Sequence, residues 1–241
     1  MKKVSSDART ARGNARSTKP AEQAVAAPVR RRNGAVRREQ IMDAAEQVFA
    51  LRGYDGASLR DVARQADASL GVITHHFPSK ENLLYNVVLR KRDPLIEIIR
   101  ENLERAKNEN KGDLGTIEAF IRPFLRSCID SGSEFRTYIR LTSSFMGAYA
   151  ANEVNVALLE LLPISSLFAE FLRDAAPHIP DRKLKLAVYL IDAAVIFMVQ
   201  DQGFLDQVTD GEYPIAAINE LISPAATFFT GGLRALAETS D

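Results

Sequence analysis

Few side chains in this sequence suit covalent or acid–base chemistry. It holds three histidines, His75, His76 and His178, and one cysteine, Cys128. Adjacent residues such as His75 and His76 point to different faces of a helix, and no third ligand stands nearby. No metal site is therefore expected. The sequence has no Gly-rich phosphate loop, no His-Glu-x-x-His and no nucleophile elbow. General acid–base work would have to rest on carboxylates that no motif singles out, so we expect neither an enzyme nor a cofactor. Cys128 reads as a small buried hydrophobe rather than a redox sensor. As a lone cysteine it cannot form an internal disulfide, which suits a reducing cytoplasm. What the chain does concentrate, over residues 58–77, is hydrogen-bond donors. Arg60 could read guanine O6 and N7 in a bidentate manner. Thr74, His75 and His76 could donate to phosphates or base edges.

Charge supports a polyanionic partner. Residues 1–38 carry 11 Lys/Arg against Asp7 and Glu22, or +9, so the rest of this net-neutral chain sums to −9. A basic arm on an acidic protein gives electrostatic hold on a nucleic acid. A solvated tail without a partner would have the same composition. No long uncharged apolar run predicts a membrane span. The basic N-terminus is not followed by the apolar stretch of a secretory signal.

These residues must be positioned by helices. Residues 1–35 lack hydrophobic periodicity, contain Pro20, Pro28 and the Asn33-Gly34 pair, and are expected to be a disordered arm. From Val36 the pattern turns helical: Ile41, Ala44, Ala45, Val48 and Phe49 line one face, with Gly53 as the stop. Two short helices follow near 59–66 and 70–76, capped by Ser58 and Ser69. Ser79 caps the next, with Glu81 suited to its positive end. Longer helices fit 80–108, 114–130, 134–150, 153–176, 181–203 and 213–237. Pro163 and Pro224 should kink or break two of these, and Pro214 fits a first turn. No segment alternates as a strand would, so the expected class is all-α.

Two helices as short as those of 58–77 cannot stand alone. Leu59, Val62, Ala63, Ala66, Val72, Ile73 and Phe77 can share a core with the stripe of 36–52. A tight turn at Asp67-Ala68 then sets the second short helix across the first. That is a helix-turn-helix, whose second helix enters the DNA major groove by its N-terminal end.

Over about residues 37–90 the sequence resembles the TetR family of bacterial regulators. The matching positions are Arg38, Ile41, Ala44-Ala45, Phe49, Gly53-Tyr54, Ser58, Ala63, Ser69, Gly71, His76, Phe77 and Ser79-Lys80-Glu81. The resemblance implies DNA contacts from Ser58 and Arg60 on the first motif helix. It places Leu70, Gly71, Val72, Thr74, His75 and His76 on the recognition helix, which Ser69 starts, and a phosphate contact at Lys80. Gly71 would allow close backbone approach to the duplex. Arg30, Arg31 and Arg32 could enter the adjacent minor groove or add nonspecific affinity. Three departures stand out. Asp67 replaces the family's usual turn glycine, which Asp tolerates. Thr74 replaces a tyrosine. Leu70 occupies a place often polar, where it could meet a thymine methyl.

The resemblance implies three parts: the arm 1–35, a three-helix DNA-binding domain 36–84 and a larger helical effector-binding and dimerisation domain 85–241. Candidate effector contacts are Arg122, Leu125, Cys128, Arg140, Phe145, Met146, Tyr149 and Phe168. A mostly apolar pocket suggests a small hydrophobic or aromatic effector, with Arg122 or Arg140 pairing an acidic group on it; ordinary core packing is the competing reading of each residue. The homodimer is expected through the last two long helices, along Leu184, Ala187, Val188, Ile191, Ala194, Val195 and Met198 and along Ile218, Leu221, Ile222, Ala225, Phe228 and Phe229. The expected function is a cytoplasmic, dimeric repressor released from a near-palindromic double-stranded operator by its effector. An activator, an effector-independent regulator, a helical enzyme and a membrane-surface or partner-binding module using the basic arm are the alternatives.

Overall fold

A computed structural model describes residues 29–130, 132–146, 152–213 and 220–239. They form eleven α-helices: α1 (Val29–Gly56), α2 (Leu59–Gln65), α3 (Leu70–His76), α4 (Lys80–Asn108), α5 (Gly112–Ile129), α6 (Arg136–Met146), α7 (Asn152–Leu159), α8 (Leu162–Ala175), α9 (Asp181–Gln200), α10 (Phe204–Val208) and α11 (Ile222–Glu238). The described residues contain no strand.

Several boundaries differ from those the sequence suggests. Helix α1 begins at Val29 rather than Val36, so the arm's last residues are helical. Arg30 to Arg32 and Ala35 are good helix formers, and a single Gly34 costs only about 1 kcal/mol. The rest of the expected arm, residues 1–28, lies outside the described residues, as do the side chains of Arg30, Arg31 and Arg32. Gly53 does not end α1 but bends it, at φ 70° and ψ 169°, which its missing Cβ permits. The expected helix 153–176 is two. Helix α7 stops at Leu159, and Pro163 sits in the first turn of α8, where its absent N–H costs nothing. Asp201 ends α9 and starts the unexpected α10, accepting from the backbone N–H groups of Gly203, Phe204 and Leu205 at 2.7–2.9 Å. Pro224 breaks no helix, since α11 begins only at Ile222. Pro214 and Ile218 lie outside the described residues.

Two buried clusters share α4. The first joins Ile41, Ala45, Phe49, Val62, Ile73 and Phe77 to Leu83, Leu84, Val87 and Val88. Leu141 and Phe145 from α6 and Ala157 and Leu158 from α7 complete it. The second runs from Leu95 on α4 through α5, α6, α8, α9 and α11. The division expected at 84/85 thus falls inside one continuous helix that is core to both halves. Charge reinforces this joint. Glu46, 4% exposed, takes Arg90 at 2.7 Å and Lys91 at 2.9 Å, and Lys91 also donates to the Glu134 carbonyl at 2.6 Å. A carboxylate this buried needs such partners.

The expected dimer stripe on α9 is corrected. Leu184, Ala187, Val188, Ile191 and Val195 are buried within their own chain. The opposite face of α9 is the exposed one, with Leu186 (47%), Tyr189 (67%), Leu190 (47%) and Phe197 (58%). Phe204 and Val208 on α10 and Phe228 on α11 extend it. An apolar stripe marks a packed face, and periodicity cannot say whether the packing is within a chain or between chains. The sheer length of apolar surface on α9 meant that both faces were apolar.

Candidate nucleic-acid interface and internal cavity

The motif of 58–77 is built by caps. Ser58 Oγ accepts from the Asp61 N–H at 3.2 Å, and Asp61 Oδ2 accepts from the Ser58 N–H at 3.1 Å, a reciprocal capping box. The Ser58 hydroxyl, its N–H and the Arg52 and Arg64 guanidiniums hold the Asp61 carboxyl below its ordinary range. Helix α2 ends at a turn in which Asp67 takes φ 47°. The Ala68 N–H bonds the Ala63 carbonyl at 2.9 Å across it. Arg37, reaching over from α1, donates to the Asp67 carbonyl at 2.6 Å. Ser69 Oγ then accepts from the Val72 N–H at 3.3 Å and starts α3. Buried Val62, Ala63, Ile73 and Phe77 fix the crossing of α2 and α3.

Ser58, Arg60, Ser69, Leu70, Gly71, Thr74 and His75 are each exposed. Arg60 has no hydrogen bond or ion pair among the described residues, so its donors remain free. The Thr74 hydroxyl donates back to the Leu70 or Gly71 carbonyl, leaving its lone pairs outward. A Cβ at Gly71 would meet only Ser69 Oγ, at 3.9 Å. Nothing inside the chain therefore demands glycine there. Val72 and His76 are half-buried, and Val72 packs on the domain core instead of facing out. Burial, then the charges of His75, Arg38 and Arg37, push the His76 imidazole below its ordinary pKa. His75 and His76 have ring centroids 5.3 Å apart, and no metal-binding group of side chains occurs among the described residues.

Lys80 is corrected. Its ammonium donates to the Tyr54 carbonyl at 2.9 Å and the Ala57 carbonyl at 3.2 Å, and lies 4.1 Å from the Tyr54 ring centroid. It holds the α1–α2 connection through those two carbonyls. Arg37 was missed because its role depends on a turn 30 residues away.

Between α4, α5, α6, α8 and α9 lies a cavity of about 120 Å³. Leu95, Phe120, Phe124, Leu158, Ile164 and Val195 make it mainly apolar; Tyr138, Thr142, Ser143, Ser165 and Asp192 supply polar groups. Burial pushes the Asp192 carboxyl up to about 6, against a lowering hydrogen bond from Ser165. On the wall facing α4, the Tyr138 hydroxyl donates to the Val88 carbonyl at 2.8 Å. Between α7 and α8, Glu160 accepts from Tyr85 at 3.1 Å and pairs with Arg92, both on α4.

Residues 41–87 match the model described as "Bacterial regulatory proteins, tetR family". Residues 118–232 match the one described as "Tetracyclin repressor-like, C-terminal domain". The chain belongs to the TetR family. The relatives it matches are transcriptional regulators by name. The HTH-type transcriptional repressor AcnR of Corynebacterium diphtheriae is 36% identical over 67 residues, which is 28% of this chain and 35% of AcnR. The match thus spans about a third of that relative's length. Among solved structures, the fatty acid degradation regulator FadR of Bacillus halodurans superposes with TM-score 0.60 at 22% identity, over 82% of this chain and 96% of FadR. FadR of Bacillus subtilis in complex with stearoyl-CoA gives TM-score 0.54 at 19% identity, over 84% and 99%. These two likenesses concern the fold.

In this TetR-family chain none of the described residues chosen from sequence lines the cavity. Leu125 is fully buried in the core. Phe168 lies behind the wall, stacked on Phe120 with centroids 3.9 Å apart. Phe145 belongs to the N-terminal cluster, edge-on to Tyr54. Arg122 pairs with Glu118 on a separate cleft beside Asn102 and Arg126. Arg140 is exposed. The Cys128 thiol points at the Val199 carbonyl at 3.8 Å, and burial pushes it up to about 11, so it stays protonated at neutral pH. Tyr149 and the side chain of Met146 lie outside the described residues. Asp192 was missed, although the sequence carries a signal: it is the one charged residue between Lys185 and Asp201.

No helix among the described residues is long and apolar enough to cross a membrane.

Proposed function

We propose that this chain is a homodimeric repressor that leaves a near-palindromic operator when a small effector with an apolar body enters the cavity. The observation that carries the reading is the joint between the two sites. Tyr138 belongs to the cavity wall and bonds Val88, and α4 packs directly against the motif. An effector that reseats Tyr138 would turn α4 and with it the recognition helix. It can do so only through differential affinity for the two arrangements.

The DNA contacts fall to Ser58, Arg60, Ser69, Leu70, Gly71, Thr74 and His75, with Arg30 to Arg32 adding phosphate affinity. The exposed apolar face of α9, α10 and α11 would form the dimer, since water-exposed Phe197, Phe204 and Phe228 are costly in a monomer. A two-fold axis there would set two recognition helices one DNA turn or a multiple apart. The repressive sign follows the name of the AcnR relative, and a cytoplasmic place follows from a DNA target.

The test is footprinting on DNA upstream of the chain's own gene at two salt concentrations, with wild type and Arg60→Ala. The reading expects one protected, roughly palindromic site, lost or much weakened in the variant. Salt-dependent binding without a preferred site, equal in both proteins, would refute it.

A further inference from the structure

We infer that the effector of this cavity carries a positively charged nitrogen on an apolar body, held by the Asp192 carboxylate. The inference rests on the effector reading above and names the ligand's chemistry.

Asp192 lies mid-helix on α9, half-buried, between buried Ile191 and the buried Val195 one turn on. It lines the cavity beside Ser165 of α8. No cationic side chain among the described residues pairs with it or acts on it. A carboxylate in apolar surroundings without a counter-charge is costly, and chains normally pair it. Here the counter-charge has to come from outside.

Two of the cavity's four hydroxyls, those of Tyr138 and Thr142, spend their protons on backbone carbonyls. Tyr138 donates to the Val88 carbonyl. Thr142 donates to the Tyr138 or Ile139 carbonyl of its own helix. Ser165 stands beside Asp192 and favours its ionised form. Tyr138, Thr142 and Asp192 present lone pairs and negative charge inward, which a ligand bringing protons and positive charge would satisfy. The rings of Phe120, Phe124 and Tyr138 also line the space, and aromatic faces attract cations. The pushed-up Asp192 carboxyl, at about 6, is still mostly ionised at pH 7.5. An acidic head group would meet repulsion here, which reverses the polarity expected from Arg122 and Arg140. A cavity of about 120 Å³ suits a short chain or a single ring.

The experiment titrates the full chain at pH 7.5 with n-hexylamine, n-hexanol and sodium n-hexanoate by calorimetry. Wild type and Asp192→Asn are compared, and operator release is followed separately for each compound. Hexylamine should bind wild type at least tenfold more tightly than the other two. Asp192→Asn should lose at least tenfold toward hexylamine and change less than threefold toward hexanol. The inference is overturned if hexanoate or hexanol binds as well as hexylamine, if the variant keeps its amine affinity, or if none of the three binds. Amine binding without operator release would uphold the inference and count against the effector reading. Release by hexanoate or hexanol would do the reverse.

Discussion

The hydroxyl of Tyr138 donates to the backbone carbonyl of Val88 at 2.8 Å, joining the cavity wall on α6 to the helix that carries the DNA-binding motif. Val88 is fully buried in the N-terminal cluster, so this bond has no water to replace it. Tyr138→Phe keeps the ring and deletes the bond. We expect a stability loss of about 1 kcal/mol in urea unfolding. We also expect effector-driven operator release to weaken several-fold while operator affinity without effector holds. Unchanged release with the same stability loss would make Tyr138 a packing residue only.

Arg60 and Lys80 should separate cleanly. Arg60 is exposed and has no partner among the described residues, so Arg60→Ala should leave unfolding unchanged and cost about 1–3 kcal/mol of operator affinity at a base contact. Lys80→Ala strips the donor from the Tyr54 and Ala57 carbonyls. It should lower stability by about 1–2 kcal/mol and weaken DNA binding only as far as the α1–α2 connection loosens. Calorimetric melting beside operator titration reads both. A reversed pattern would return Lys80 to the phosphate role.

Asp67 holds φ 47° in the turn of the motif, and its carbonyl takes Arg37. Asp67→Gly relieves the backbone and keeps the carbonyl, so it should be neutral or stabilising by up to about 1 kcal/mol. Asp67→Val puts a branched side chain at positive φ and should cost about 1–2 kcal/mol. Melting temperatures of the two variants check the ordering.

Asp192 sets a pH dependence with a definite sign. Its carboxyl stands at about 6 in the fold against an ordinary 3.8. The folded chain therefore holds a proton that the unfolded chain releases between those values. Stability from this group is full below pH 4 and falls as pH rises through 6, by on the order of 3 kcal/mol. Asp192→Asn carries no such charge. It should melt above wild type at pH 8 and close to it at pH 4; a variant less stable at pH 8 would contradict the burial argument.

Phe228, 77% exposed, stands on the apolar face proposed for the dimer. Phe228→Glu should turn a dimer into a monomer in sedimentation and weaken operator binding more than tenfold, with the monomer still helical by circular dichroism. A variant that stays dimeric would place the interface elsewhere.

Much of the motif was legible in the residues themselves. Ser58, Ser69 and Ser79 act over three residues of chain, and each caps its helix as local chemistry requires. The spacing of Ile41, Ala45 and Phe49 follows the period of one helix, and all three are buried. The turn at Asp67 needed only the tolerance of Asp for positive φ. Such features depend on neighbours in sequence, so sequence determines them. The tertiary structure alone decided which side of α9 faces the core, because both sides are apolar. It gave Lys80 to two carbonyls rather than to solvent, and put Phe145 in the N-terminal core. It also chose Asp192 and Tyr138, rather than Arg122 and Arg140, to stand at a cavity. Each of these turns on residues distant in the chain meeting in space, and side-chain type and periodicity carry no record of which distant surfaces will meet.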